Sequence, residues 1–291
     1  MSEPFLQVLR TGWDIHPTLL APIAVLVVGY IAGVVVGIRR GQHLSVGTAV
    51  AFGAAVATLL LVLHSPLHHL ADEYLFSAHM AQHLALTLVV PPLLLLGTPA
   101  WLIRPVVDRP LIRRMAHSRL FPVVAFLAFN VLFAYLHFPA IYDRLFASEL
   151  SHRVTHIVLL FTALLTWLPL LSPIPDVIPR LSAPARMLYC FLQTIPGGIV
   201  GALVSFVDWV MFRHYGAKPM LLGVSPIADQ QMGGLLMWVV GGTYYLLILT
   251  VIFFRWADRE ERTAYGPPSL PGDRGLGARP ESLRKGAPGR S

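Results

Sequence analysis

Long uncharged runs alternate along the chain with short stretches that hold nearly all of its charge. Seven runs approach or exceed the roughly 17–25 residues a helix needs to cross a bilayer. They are Pro17–Ile38, Gly47–Leu63, Leu84–Ile103, Leu120–Leu136, Ile157–Pro175, Met187–Val207 and Met232–Phe254. The second and fourth are the shortest, and each ends at a histidine, His64 or His137, that can sit at an interface. The pattern predicts an all-α protein, a polytopic membrane bundle of seven transmembrane helices. Pro91-Pro92 removes backbone donors in the third span and should kink it. Pro196-Gly197-Gly198 should do the same in the sixth and let a neighbour approach. Asn130 and Gln193, polar at membrane depth, read as interhelical hydrogen-bonding residues. Beyond the last span, a Pro-, Gly- and Arg-rich stretch lacks the apolar residues needed to fold. The chain thus divides into a membrane domain, 1–262, and a disordered basic tail, 263–291, whose charges can touch anionic lipid heads.

Composition supports this division. Of 291 residues, 55% are hydrophobic and only 13% charged, about half the charged share of a soluble domain. The net charge of +7 would suit a nucleic-acid partner. The basic residues instead flank apolar runs and fill the tail, so no nucleic-acid function is expected. Seventeen of the 22 lysines and arginines follow spans 1, 3, 5 and 7, which predicts the N-terminus outside and the C-terminus in the cytoplasm. No basic segment leads into a short apolar core at the start, so no cleaved signal peptide is expected. Cys190 is the single cysteine and lies inside an apolar run. A disulfide within the chain is therefore impossible, and any metal chemistry must use histidine, methionine or carboxylate.

With that topology ten of the twelve histidines fall at or near the outer side: His16, His64, His68, His69, His79, His83, His137, His152, His156 and His214. His79 and His83 are four apart before the third apolar run, as are His152 and His156 before the fifth. Residues at i,i+4 share one helix face, with Cβ atoms about 5–6 Å apart, so each pair can chelate one metal ion. His137 sits at the outer end of the fourth span. If spans 3, 4 and 5 are neighbours, five imidazoles converge. A lone interfacial histidine such as His16, His69 or His214 reads instead as a hydrogen-bonding surface residue.

Imidazole suits zinc, copper, iron and nickel. Met80 lies inside the motif His79-Met80-Ala81-Gln82-His83, and Met232 and Met237 lie in span 7, so thioether sulfur tilts the expectation toward copper as Cu(I). Glutamine stands where an HExxH protease would need its glutamate. The outer side also carries the carboxylates Asp72, Glu73, Asp143 and Asp229. Asp229-Gln230 starts a helix, where an acidic residue serves equally as a cap or as a partner to a metal-bound imidazole.

These motifs resemble the polytopic CtaG family of bacterial cytochrome c oxidase assembly proteins. The resemblance runs through Ser65-Pro66-Leu67, FSAHMAQH at 76–83, VVPPLLLLGTP at 89–99, HFPAIYD at 137–143, SHRVTHIVLLFTALLTWLPLL at 151–171, DQQMGGLLMW at 229–238 and RWADREE at 255–261. It covers roughly residues 13–262 and implies a multi-pass protein of the bacterial plasma membrane that serves haem-copper terminal oxidase by handling copper. It carries over His79, His83, His137, His152 and His156 as metal positions, with Asp229 and Gln230 as partners, and leaves His64, His68 and His69 outside the pattern. The implied partners are oxidase subunits, a periplasmic copper chaperone as donor, and the bilayer; self-association stays open. The length suits the form of the family without a fused copper-resistance domain. No nucleophile with a positioned base, phosphate loop or dinucleotide fingerprint points to an enzyme. Two rival readings remain, a bis-histidine membrane haem protein and a copper or proton transporter.

Overall fold

The structure, a computed structural model, describes residues 3–13, 17–218, 220 and 223–265. His16 and the stretch after Tyr265 lie outside them. The described residues are helical and form no strand. In chain order the helices are α1 (Glu3–Thr11), α2 (Pro17–Arg39), α3 (Val46–His64), α4 (Pro66–Glu73), α5 (Phe76–Leu84), α6 (Val90–Gly97), α7 (Ala100–Val107), α8 (Pro110–Ala116) and α9 (Phe121–Leu136). Next come α10 (Pro139–Phe146), α11 (Glu149–Leu171), α12 (Ala183–Phe206), α13 (Arg213–Gly216), α14 (Pro226–Leu235) and α15 (Gly241–Tyr265). One π-helical turn, Ala85–Val89, joins α5 to α6, and a second, Leu236–Val240, joins α14 to α15.

Six helical units are long and apolar enough to cross a membrane, and a seventh exists if α8 and α9, bent by 83° to each other, count as one. On its own α9 rises only about 24 Å over its 16 residues. Three spans start earlier than the hydropathy pattern places them: the third runs Phe76–Gly97, the fifth Glu149–Leu171 and the seventh from Pro226. Their opening turns carry His79, His152 and Asp229, which face protein, and two of the three starts have a local cause. Ser148 caps α11 by accepting from Ser151 N, and Ser225 caps α14 by accepting from Ala228 N, with Pro226 at its first position. The third span ends at Gly97 because Pro99 cannot continue the helix.

The unit Phe76–Gly97 is the axis of the bundle. Its most apolar window is 67% buried inside the protein, against 11% for α2. Around it pack α3, α11 and α14, while α12 joins α14, α15 and α9. Gly201 of α12 and Gly234 of α14 allow this closeness, since a Cβ on Gly201 would lie 2.6 Å from the Gly234 carbonyl oxygen.

Pro91 and Pro92 do not simply kink the third span. They open α6 directly after the π turn, in which Val90 N bonds the carbonyl of Ala85, five residues back. Pro91 has no N–H for the carbonyl of Thr87, four residues before it, and Trp167 of α11 donates its indole N–H to that oxygen at 2.9 Å. Asn130 and Gln193 do bond across helices: Asn130 Nδ2 donates to Gln193 Oε1 at 2.8 Å, and Gln193 Nε2 donates to Thr166 Oγ1 at 2.9 Å.

Candidate metal site

The i,i+4 spacing on α5 and α11 turns His79 and His83 toward His152 and His156. Ring centroids lie 4.1 Å apart for His79–His83, 4.5 Å for His152–His156, 5.2 Å for His83–His156 and 5.3 Å for His79–His152. None of the four is more than 7% exposed. They lie inside the bundle.

Two groups of possible ligand atoms emerge, each with all atoms within 4.8 Å of one another: His79, His83 and His156, and Asp72, His79 and His152. The inner group is orphaned. Neither ring nitrogen of His83 or His156 has a hydrogen-bond partner among the described residues, nor has Nδ1 of His79. A buried polar atom left unpaired costs about 1–3 kcal/mol, so five such nitrogens in one cluster are costly as they stand.

Hydrogen bonding fixes the outer group. The Val62 carbonyl can only accept, so the amide nitrogen of Gln82, 2.6 Å away, must face it. The same nitrogen lies 3.0 Å from His68 Nδ1, which therefore accepts, leaving the His68 proton on Nε2, 3.5 Å from Asp72 Oδ2. The other Asp72 oxygen is 3.3 Å from His152 Nε2. Asp72 thus bridges two buried imidazoles, one on α4 and one on α11. His68 and Asp72 were legible as an i,i+4 pair, yet the family resemblance leaves His68 outside its pattern and gives Asp72 no role.

His137 stands apart, its ring 6.5 Å from that of His83. Its Nδ1 donates to the Phe133 carbonyl at 2.7 Å, so Nε2 carries a lone pair, 3.4 Å from Met80 Sδ. Nitrogen and sulfur are both acceptors here, and Met80 is fully buried.

Asp229 and Gln230 are occupied elsewhere. Asp229 accepts from Phe76 N at 2.6 Å and from the Ser77 amide and hydroxyl, so it caps α5 from another helix. Gln230 accepts from Met211 N at 2.7 Å and donates to the Trp209 carbonyl at 3.2 Å, which pins the loop between α12 and α13. Both support the cluster's frame, and neither is in a ligand group. Glu73 pairs with Lys218 at 2.6 Å.

An aromatic roof closes the cluster. Tyr142 and Phe146 of α10 and Tyr215 of α13 lie 5.8, 5.3 and 6.4 Å from the His79 ring. Tyr215 OH donates to the Ala71 carbonyl at 2.6 Å. Burial pushes the Tyr142 and Tyr215 phenols well above their ordinary pKa, so both stay neutral. Beside the roof opens a cavity of about 300 Å³ lined by His68, His69, Asp72, Glu149, His152 and His214, among others. His214 donates from Nε2 to the Asp72 carbonyl at 2.7 Å, and burial lowers its pKa.

The chain is 26% identical over 279 residues to an uncharacterized protein of Mycobacterium bovis, covering 90% of this chain and 42% of that one. It is 25% identical over 272 residues to one of Mycobacterium leprae, covering 87% and 41%. It therefore spans about two-fifths of the length of these relatives. No solved structure matches it. The family model described as cytochrome c oxidase caa3 assembly factor matches residues 28–259, a range that holds both histidine helices, the roof and the capping aspartate. The chain belongs to that family, Caa3_CtaG.

Proposed function

We propose that the protein binds copper as Cu(I) on His79, His83 and His156 and passes it to a haem-copper oxidase subunit during assembly. The observation that carries this is the inner group, buried imidazoles that offer ligand atoms within 4.8 Å of one another and whose ring nitrogens, five of six, have no hydrogen-bond partner among the described residues. Neutral imidazole with thioether nearby suits a soft monovalent ion. Cys190 is buried among the residues of another cluster, in the first half of α12, and offers no competing thiolate.

Asp72, His68 and His152 form the access route. The cavity delivers an ion to Asp72, and His79, common to both ligand groups, takes it inward by ligand exchange. His137 and Met80 form a further soft pair beside the inner group. In this reading, which the charge pattern supports, this end faces the outer side of the plasma membrane with the N-terminus outside, where a periplasmic donor would meet it.

The test is Cu(I) loading of the detergent-purified chain followed by elemental analysis and a visible spectrum. The parent should retain copper with no haem Soret band, and His83→Ala with His156→Ala should lose it. Equal retention by parent and variant, or a Soret band, would sink the proposal.

A further inference from the structure

At the end of the bundle opposite the histidines, α11, α12 and α15 enclose a cavity of about 580 Å³. Four arginines line it: Arg180 and Arg186 around the start of α12, and Arg255 and Arg259 one turn apart on α15. None of the four is ion-paired among the described residues. Two acidic residues near α15's end are turned elsewhere, Asp258 to Arg262 at 3.1 Å and Glu260 to the Trp256 indole at 3.0 Å. Arg180 gives Nε and one terminal nitrogen to the Ser172 carbonyl, which fixes its guanidinium at the rim. Arg186 is half-buried, and its Nε is sealed from solvent without a partner.

Four like charges around one hollow repel, and a desolvated guanidinium nitrogen left unbonded is costly. An anion answers both, and phosphate oxygens match the guanidinium fork. The remaining walls are apolar, from Leu96, Leu171, Leu247, Ile248 and Ile252, and Leu247 and Leu96 stand 61% and 55% exposed. A free anion has no use for such walls, whereas the acyl chains of a phospholipid do. Basic pockets between membrane helices are where anionic headgroups settle.

We propose that this cavity is a binding site for an anionic phospholipid, its phosphodiester on Arg186, Arg255 and Arg259 and its chains along Leu171, Ile248 and Ile252. The site joins α12 and α15 to the end of α11, so the bound lipid ties together three helices that also frame the far end of the bundle. It does not depend on the histidines.

The test is melting temperature and native mass spectrometry of the full chain in detergent, titrated with phosphatidylglycerol, phosphatidylcholine and inorganic phosphate separately. Phosphatidylglycerol should raise the melting temperature and stay bound, with phosphatidylcholine ~10-fold or more weaker. Arg255→Gln with Arg259→Gln should abolish the difference. Val251→Trp, which narrows the apolar half from an exposed position and leaves every arginine in place, should weaken phosphatidylglycerol too. That second variant keeps the test decisive if the first fails to fold. Equal response to both lipids, an undiminished response in either folded variant, or a shift with inorganic phosphate as large as with lipid would overturn the proposal.

Discussion

His83 and His156 are each buried with both ring nitrogens unbonded among the described residues. Removing both partners of a buried hydrogen bond is often harmless, whereas leaving one unsatisfied forfeits about 1–3 kcal/mol. A site kept ready for an ion therefore works against the stability of the ion-free fold. His83→Leu with His156→Leu should leave the melting temperature of the metal-free protein unchanged or raise it, while copper binding disappears. Melting of chelator-treated parent and variant checks this; a clear fall in the variant would mean that the imidazoles have protein partners. Asp229 works the other way. Its carboxylate holds the first amides of α5 across 153 residues of sequence, and those amides set where His79 stands.

Among the helices, the turn Ala85–Val89 matters most, because it lies between the histidine face of α5 and the rest of the third span. A π turn holds one residue more than its α-helical equivalent, so it rotates α6 relative to α5 by about 100°. The prolines that fix it leave the Thr87 carbonyl to Trp167, which is itself buried against Tyr245. Trp167→Phe should destabilise the protein by about 1–3 kcal/mol by orphaning that oxygen. Adding Pro91→Ala supplies an N–H to the same carbonyl and should recover part of the loss. Thermal melting of the two single variants and the double checks this; strictly additive effects would show that the indole and the proline do not share that oxygen.

For the molecule as a whole, the sequence carried the helical class, the number of apolar runs and the histidine spacing, because those are local periodicities. It misplaced where spans begin. The turns with His79, His152 and Asp229 are polar and face protein, and a hydropathy window registers only the lipid-facing kind of burial. The 83° bend between α8 and α9 and the π turns leave no mark in a hydropathy pattern, and the contact that carries the His68–Asp72 pair on to His152 joins residues far apart in sequence. The identity of Asp229 was readable, but whose helix it caps was not.

The inner ligand group holds three imidazoles and no carboxylate, while the one carboxylate, Asp72, belongs to the outer group. The cost of moving an ion out of water into a low-dielectric interior is large for unit charge, about 20 kcal/mol in the idealised limit, and grows with the square of the valence. Neutral imidazoles coordinate the ion but bring no opposite charge to offset its second unit of charge. Copper seated on the inner group should therefore be held far better as the monocation than as the dication, which sets its midpoint potential above that of the aqueous couple. Oxidation would draw the ion back toward Asp72. Potentiometric titration of the loaded protein followed by electron paramagnetic resonance tests this, and a midpoint at or below the aqueous value would refute it. Copper leaving such a site leaves it already reduced.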